Sequence, residues 1–134
     1  MKKFLIILAM VLCTLGSFAQ NSNILWFRTT EFALMYTDDY GRWSDWSDWE
    51  KSNMKIKFDL ENEQITIYSP NRQVYYLLEE LEQPSDSGGK QIKFSFIDQD
   101  EDYGSFRIRK QNNGTIQFYV DFSNVRWVYN VVQL

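Results

Sequence analysis

The sequence contains no histidine, and its only cysteine is Cys13 near the amino terminus. Histidine is the most common general base and a frequent metal ligand. Its absence leaves fewer residue types that could act as a catalytic base or bind zinc. A single cysteine cannot form a disulfide within the chain. We therefore expect no cofactor and no metal centre of the usual kinds.

The amino terminus has the layout of a secretory signal peptide. Two lysines precede an apolar run over residues 4–15, and small residues before Gln20 occupy the positions that signal peptidase reads. The run is shorter than the ~20 residues that span a bilayer, which argues against an uncleaved anchor. Lipidation at Cys13 is disfavoured by the bulky leucine before it. The sequence thus predicts a signal peptide over residues 1–19 and a periplasmic or extracellular mature chain without membrane insertion.

The mature chain is acidic. Loss of two of the 14 basic residues with the leader leaves 12 basic against 18 acidic residues, a net charge of −6. Nucleic-acid-binding domains present a basic face, so we expect no nucleic-acid partner. The remaining 115 residues suffice for one domain with its own core, and residues 20–134 are predicted to form it.

Apolar and polar residues alternate along most of the chain, as in half-buried strands. In "MKIKFDLE", for example, Met54, Ile56 and Phe58 share one face. No helical stretch of ten residues is visible. We predict eight strands, at residues 24–37, 53–61, 64–69, 72–82, 90–98, 104–111, 115–122 and 125–133. Short sequential antiparallel strands favour an all-β meander closed into a small lipocalin-like barrel, with a two-sheet sandwich as the alternative.

The register of the "NNG" turn at residues 112–114 follows from the same alternation. Even-numbered residues face inward on both flanking strands. The numbers of two residues that pair across the hairpin must therefore add up to an even number. A three-residue loop satisfies this condition and sets Ile108 opposite Phe118 and Arg107 opposite Tyr119. Gly114 then takes the left-handed conformation that such loops need.

The stretch "RWSDWSDWE", residues 42–50, carries three tryptophans at three-residue spacing. Its "WSDWS" resembles the Trp-Ser-x-Trp-Ser signature of class I cytokine receptors, where arginines from a neighbouring strand stack between the tryptophans. The Trp spacing is also similar to that of thrombospondin type 1 repeats, which depend on six cysteines. Both resemblances cover fewer than ten residues and indicate no family membership. They do suggest cation–π contacts with Arg42 or an arginine elsewhere.

Two interpretations of these tryptophans remain open. They plug one end of the barrel, as large aromatics that bury well, or they form an exposed binding platform. The long connection over residues 38–52 supports the platform interpretation, because long loops in compact domains are often functional. The candidate ligand-binding residues are Trp43, Trp46, Trp49 and Arg42.

The acidic loop "DQDEDYG" places Asp98, Asp100 and Asp102 at the alternate spacing of calcium loops. The glycine and glutamate that complete such a loop are replaced by Tyr103 and Arg109, so this is only a weak metal candidate. A glycosidase needs only two carboxylates, which keeps a hydrolase as a remote alternative. No nucleophile–base pair is visible, and we expect a protein that is not an enzyme.

Over most of the mature chain the sequence resembles short exported all-β proteins of Bacteroidota. The likeness lies in "SFAQ", "TTEFA", "IKFDLENEQITIYS", "RKQNNGTIQFYVDF" and "WVYNV". It implies a compact β-fold outside the cytoplasm and no catalytic residue. The leading hypothesis is a non-enzymatic exported module that binds a small apolar ligand, a glycan or a protein. The alternative is an accessory interaction protein of the cell envelope without a small ligand.

Overall fold

A computed structural model describes residues 23–81 and 89–134. The signal peptide predicted at residues 1–19 lies outside this part. Within it no helix has the length and hydropathy to cross a membrane. The described residues form nine strands, namely β1 (Ile24–Tyr36), β2 (Glu50–Lys51), β3 (Lys55–Asp59), β4 (Gln64–Ile67), β5 (Gln73–Leu81), β6 (Gly89–Asp98), β7 (Tyr103–Gln111), β8 (Ile116–Asp121) and β9 (Val125–Gln133).

The sheet closes on itself. From β3 to β9 each strand pairs antiparallel with the next, and β1 pairs with both β3 and β9. Eight strands therefore form an antiparallel barrel, and β2 is an extra strand on β1. The predicted all-β barrel is confirmed. The sandwich alternative is wrong, because the β1–β9 pairing joins the wall into one closed sheet.

The eight predicted strands match the observed ones to within two residues at each end. Sequence periodicity missed a bulge in β1, where the register shifts between Thr29 and Glu31. The buried Thr29 hydroxyl accepts a hydrogen bond from the Met54 amide at 2.8 Å and lies 2.8 Å from the Ser52 hydroxyl. These bonds satisfy polar groups where β1 leaves β3, and they position the chain that precedes β3.

Aromatic side chains fill the barrel interior. Six phenylalanines in it are at most 1% exposed: Phe27, Phe58, Phe94, Phe96, Phe106 and Phe118. Phe118 meets Phe27 edge-on at 4.9 Å between ring centres, in the geometry that aromatic quadrupoles prefer. The interior is thus a packed core.

The β7–β8 hairpin has the predicted register. Ile108 faces Phe118 and Arg107 faces Tyr119. The Gln111 amide donates to the Thr115 carbonyl at 2.8 Å, which closes the three-residue loop. Gly114 has a φ of 91°, so its left-handed conformation is confirmed.

Candidate functional site

The tryptophan segment, residues 43–50, runs beside the free edge of β1. The Ser44 amide donates to the Tyr36 carbonyl at 2.8 Å, and the Tyr36 amide donates to the Ser44 hydroxyl at 3.1 Å. Ser47 makes the same pair of bonds with Leu34, at 2.8 and 2.9 Å. Each serine therefore satisfies both backbone groups of one β1 residue. This pairing explains why serine recurs every third residue.

The geometry of the segment differs from the regular conformations considered for it. Residues 44–49 belong to neither a helix nor a strand. The three-residue step from Ser44 to Ser47 spans only two residues of β1, from Tyr36 to Leu34. That distance is ~6.8 Å at the usual strand rise. Three residues of polyproline II would advance ~9.3 Å. The segment is therefore more compact than a polyproline II helix.

Trp43 stacks on an arginine of the barrel wall. The Arg126 guanidinium lies 4.3 Å from the Trp43 ring centre, and its Nε is 3.8 Å from the Asp121 carboxylate. Burial raises the pKa of Asp121, while Arg107, Arg126 and Lys93 oppose the rise. The expected cation–π contact is present, and the cation comes from β9 rather than from Arg42.

Trp46 extends the same ladder. Its ring meets Tyr119 edge-on at 6.3 Å, and the Arg107 guanidinium lies 3.9 Å from the centre of the Tyr119 ring. Tyr119 and Arg107 face each other across β7 and β8. Two aromatic–arginine pairs thus flank Asp121 on the outer wall of the barrel.

The wall beside this ladder is buried although it lies outside the barrel core. Ala33 and Val128 pair across β1 and β9 and are 2% and 3% exposed. Neither belongs to the core cluster, because the side chains of Tyr129 and Val131 fill the inward positions of β9. The tryptophan segment therefore covers the outer wall and does not plug the end of the barrel. Its own rings stay partly exposed, with Trp46 at 41% and Trp49 at 45%.

Arg42 stabilises its own turn. Its Nε donates to the Asp38 carboxylate at 2.9 Å, and its guanidinium lies 5.1 Å from the Tyr40 ring centre. The pKa of Asp38 is lowered, chiefly by the hydrogen bond from the Arg42 backbone amide, with a further contribution from the Tyr40 amide. The structure thus places Arg42 away from the tryptophan ladder.

The three alternating aspartates form a turn. The Asp98 carboxylate accepts hydrogen bonds from the amides of Asp100 and Asp102, both at 2.9 Å. Glu101 takes a φ of 66° within this turn. Across residues 23–81 and 89–134, no cluster of three or more acidic, histidine or cysteine side chains could hold a metal ion. The alternate spacing therefore serves the backbone of the loop.

The barrel is open at the end where this turn lies. A cup of about 880 Å³ lies between the β4–β5, β6–β7 and β8–β9 connections. Its floor is aromatic, with the half-buried Phe122 and Trp127 above the buried Tyr75. The other lining residues are Ser69, Pro70, Asn71, Gln73, Asp98, Gln99, Asp100, Asp102, Tyr103, Ser123, Asn124 and Val125. The volume lies within the ~300–1,000 Å³ range of small-molecule sites.

The tyrosines beneath the cup stay protonated at neutral pH. The Tyr75 hydroxyl donates to Gln73 at 2.5 Å, and burial raises the pKa of Tyr75 far above its usual value. Burial also raises the pKa of Tyr129 to about 12, although the Gln73 and Trp127 side chains beside its hydroxyl oppose the rise. These phenols carry no charge into the cup.

Hydrogen bonds hold the rim of the cup. The Val74 amide donates to the Gln99 side chain at 2.8 Å, and the Gln99 amide group donates to the Arg72 carbonyl at 2.9 Å. The Gln73 side chain also donates to the Ser69 hydroxyl at 3.1 Å. These bonds tie the acidic turn to the neighbouring connection. The rim is therefore preorganised, which lowers the entropic cost of binding a ligand.

The fold and the cup define a small closed β-barrel with one open, polar end. The family described as SLS1 protein first KH domain matches residues 15–84, which is 70 of the 134 residues, and the chain belongs to that family. Comparisons with curated proteins and with solved structures found no significant match. KH domains clamp nucleic acid with a Gly-x-x-Gly loop. The matched residues contain only Gly16 and Gly41, so no binding residue is carried over.

The sequence singled out one side of the cup, the aspartates Asp98, Asp100 and Asp102, but only as a weak metal candidate and not as part of a ligand cavity. The residues of the cup come from the ends of four strands and from three short connections that are distant in sequence. The available signal was an excess of polar residues in those connections, flanked by aromatic residues such as Tyr75, Phe122 and Trp127. Only the closed strand order brings these groups together.

Proposed function

We propose that this chain is a non-enzymatic exported binding module that takes a small polar ligand in the open cup. The observation that carries the proposal is a cavity of about 880 Å³ with an aromatic floor and a polar rim. Most small-molecule pockets are lined mainly by apolar residues, but nine of the fifteen residues here are serine, asparagine, glutamine or aspartate, which favours a polar ligand. The packed phenylalanines below the cup disfavour a small apolar ligand inside the barrel.

The absence of catalysis is part of the proposal. None of the fifteen lining residues is a histidine, cysteine, lysine or arginine. The Asp98 carboxylate already accepts two backbone hydrogen bonds. A nucleophile paired with a general base cannot be named there. The acidic lining also argues against a nucleic-acid partner, whose phosphates it would repel.

A second candidate is an interaction protein of the cell envelope that docks through the tryptophan segment. The partial exposure of Trp46 and Trp49 favours it, because tryptophan is enriched among the residues that contribute most to binding. Against it, the segment already has a structural role as the cover of Ala33 and Val128.

A thermal-shift panel tests the first proposal. Purified protein would be heated with neutral sugars, amines, fatty acids, nucleotides and short peptides. A ligand at 100 times its Kd adds ~2.7 kcal/mol to the free energy of unfolding and raises the midpoint. Tyr103→Ala, at a 69% exposed rim position, should reduce this rise, whereas Tyr76→Ala on the outer wall should not. If no compound class moves the midpoint, or if both variants respond alike, the cup is not the binding site.

Export is tested separately by intact mass. Protein recovered from the periplasm or medium of an expressing host should begin at Gln20, with or without cyclisation of that residue. A recovered form that retains Met1 would contradict the export proposal.

A further inference from the structure

We infer that the ligand of the open cup is a neutral saccharide. The inference rests on the proposed function, since it names the chemical class that the cup takes. Four properties of the cup carry it: the aromatic floor, the composition of the rim, the sign of its charge, and its open shape.

The floor offers aromatic faces in a fixed arrangement. Phe122 and Trp127 are half-buried, their ring centres are 5.6 Å apart, and their planes are tilted by 42°. Phe96 supports Phe122 from the core at 5.4 Å, and Tyr75 packs on Phe96 at 4.6 Å. The C–H faces of pyranose rings stack on such aromatic surfaces. Because the rings are held from below, a sugar would meet a surface that is already ordered.

The rim suits a ligand with many hydroxyl groups. Six of its residues are neutral and carry groups that can donate or accept hydrogen bonds: Ser69, Asn71, Gln73, Gln99, Ser123 and Asn124. A sugar hydroxyl is both a donor and an acceptor, so it can pair with either kind of group. Ser69, Gln73 and Gln99 already bond within the rim. An aliphatic ligand would remove water from the side chains of Asn71, Ser123 and Asn124 without replacing its hydrogen bonds, which is unfavourable.

The charge of the cup disfavours anionic ligands. Three of the fifteen lining residues are aspartates, and none is a lysine or arginine. Carboxylates accept hydrogen bonds from sugar hydroxyls but repel carboxylates and phosphates. Organic cations are the competing class. They are less favoured because neutral polar residues outnumber the aspartates two to one and the Asp98 carboxylate already binds two backbone amides.

The shape of the cup fits the end of a glycan chain. The cavity is open to solvent, and the half-buried Phe122 and Trp127 are part of its lining. A saccharide could therefore enter with one end, while the rest of the chain extends into solvent.

Calorimetric titration with trisaccharides that are matched in size but differ in charge tests the inference. The probes are neutral maltotriose, cellotriose and mannotriose, the acidic trimer of galacturonic acid, and the amine trimer of glucosamine. At least one neutral probe should bind, and the acidic trimer should bind at least about tenfold more weakly, which is ~1.4 kcal/mol. Tyr103→Ala should weaken the neutral probe, while Tyr76→Ala should leave its Kd unchanged. Asp102→Asn should reduce the difference in Kd between the neutral and the acidic probes.

Failure of this inference is distinguishable from failure of the proposed function. If the amine trimer alone binds, or the acidic trimer binds as tightly as the neutral ones, the cup is a binding site for another class and the saccharide is wrong. If no neutral probe binds while another compound class raises the unfolding midpoint through Tyr103, the saccharide is also wrong and the proposed function stands. If neither experiment finds a ligand, both fall.

Discussion

The guanidinium of Arg126 lies between the Trp43 indole, 4.3 Å away at its ring centre, and the Asp121 carboxylate, 3.8 Å away. One arginine thus joins the tryptophan segment to the wall formed by β8 and β9. The cation gains from the ring quadrupole on one side and from the carboxylate on the other. This contact ties the tryptophan segment to the barrel wall, and its contribution to stability can be measured.

Trp43 and Arg126 should be energetically coupled. In a double-mutant cycle with Trp43→Ala and Arg126→Ala, urea unfolding should give a coupling free energy of about 0.5–1 kcal/mol. Trp49→Ala is the matched control, since no ring or cation contacts Trp49 in the described part of the chain. That control should change the unfolding free energy by less than ~0.5 kcal/mol. Equal losses for Trp43, Trp46 and Trp49 would contradict the unequal roles assigned to them.

The two serines of the segment should protect different β1 amides. Ser47→Ala removes the acceptor of the Leu34 amide, and Ser44→Ala removes the acceptor of the Tyr36 amide. Each change should cost about 1 kcal/mol, the usual net value of one hydrogen bond. Hydrogen exchange should accelerate at Leu34 in the first variant and at Tyr36 in the second, so each variant is the control of the other. Uniform acceleration in both would mean that the segment detaches as a whole.

Asp121 should make stability depend on pH. Burial raises its pKa above the ordinary value of 3.8, against the opposing effects of Arg107, Arg126 and Lys93. As the pH rises through 3.8, the unfolded state releases this proton first, so ionisation disfavours the folded state. The unfolding free energy of Asp121→Asn minus that of the parent should therefore rise as the pH is raised from 3 to neutral. Urea unfolding at several pH values measures this difference. A relative loss over that range would show that the arginines outweigh burial.

Two glycines should respond differently to alanine. A Cβ at Gly114 would meet nothing within 4 Å, so Gly114→Ala should cost only the ~1–2 kcal/mol of a left-handed residue. A Cβ at Gly104 would lie 2.6 Å from both the Asp121 carbonyl and the Phe96 ring. Gly104→Ala should therefore cost more than Gly114→Ala in denaturant unfolding. The reverse order would mean that β7 can move away from its neighbours at little cost.

The sequence predicted the barrel because its strands follow local rules. Alternation fixed which residues of β7 and β8 face inward, and the parity of the "NNG" loop then fixed the Ile108–Phe118 pairing. The β1 bulge has no such local signal, because residues 32–35 are apolar at odd and even positions alike.

The remaining features depend on contacts between distant parts of the chain. The two residues of β2 are a strand only because Glu50 and Lys51 pair with β1. The sequence could suggest an arginine partner for the tryptophans, but only the closed sheet identifies it as Arg126. The open cup likewise exists only where three connections meet at one end of the barrel.

Fluorine NMR of protein labelled with 5-fluorotryptophan is the most direct test of the claim that the cup is the binding site. The five tryptophans, at positions 26, 43, 46, 49 and 127, would give five signals, assigned with single Trp→Phe variants. The probe is the neutral trisaccharide of highest affinity. The proposal predicts that the Trp127 signal shifts on saturation while the Trp46 and Trp49 signals stay in place. A shift at Trp46 or Trp49 with no change at Trp127 would contradict it and place binding on the tryptophan segment.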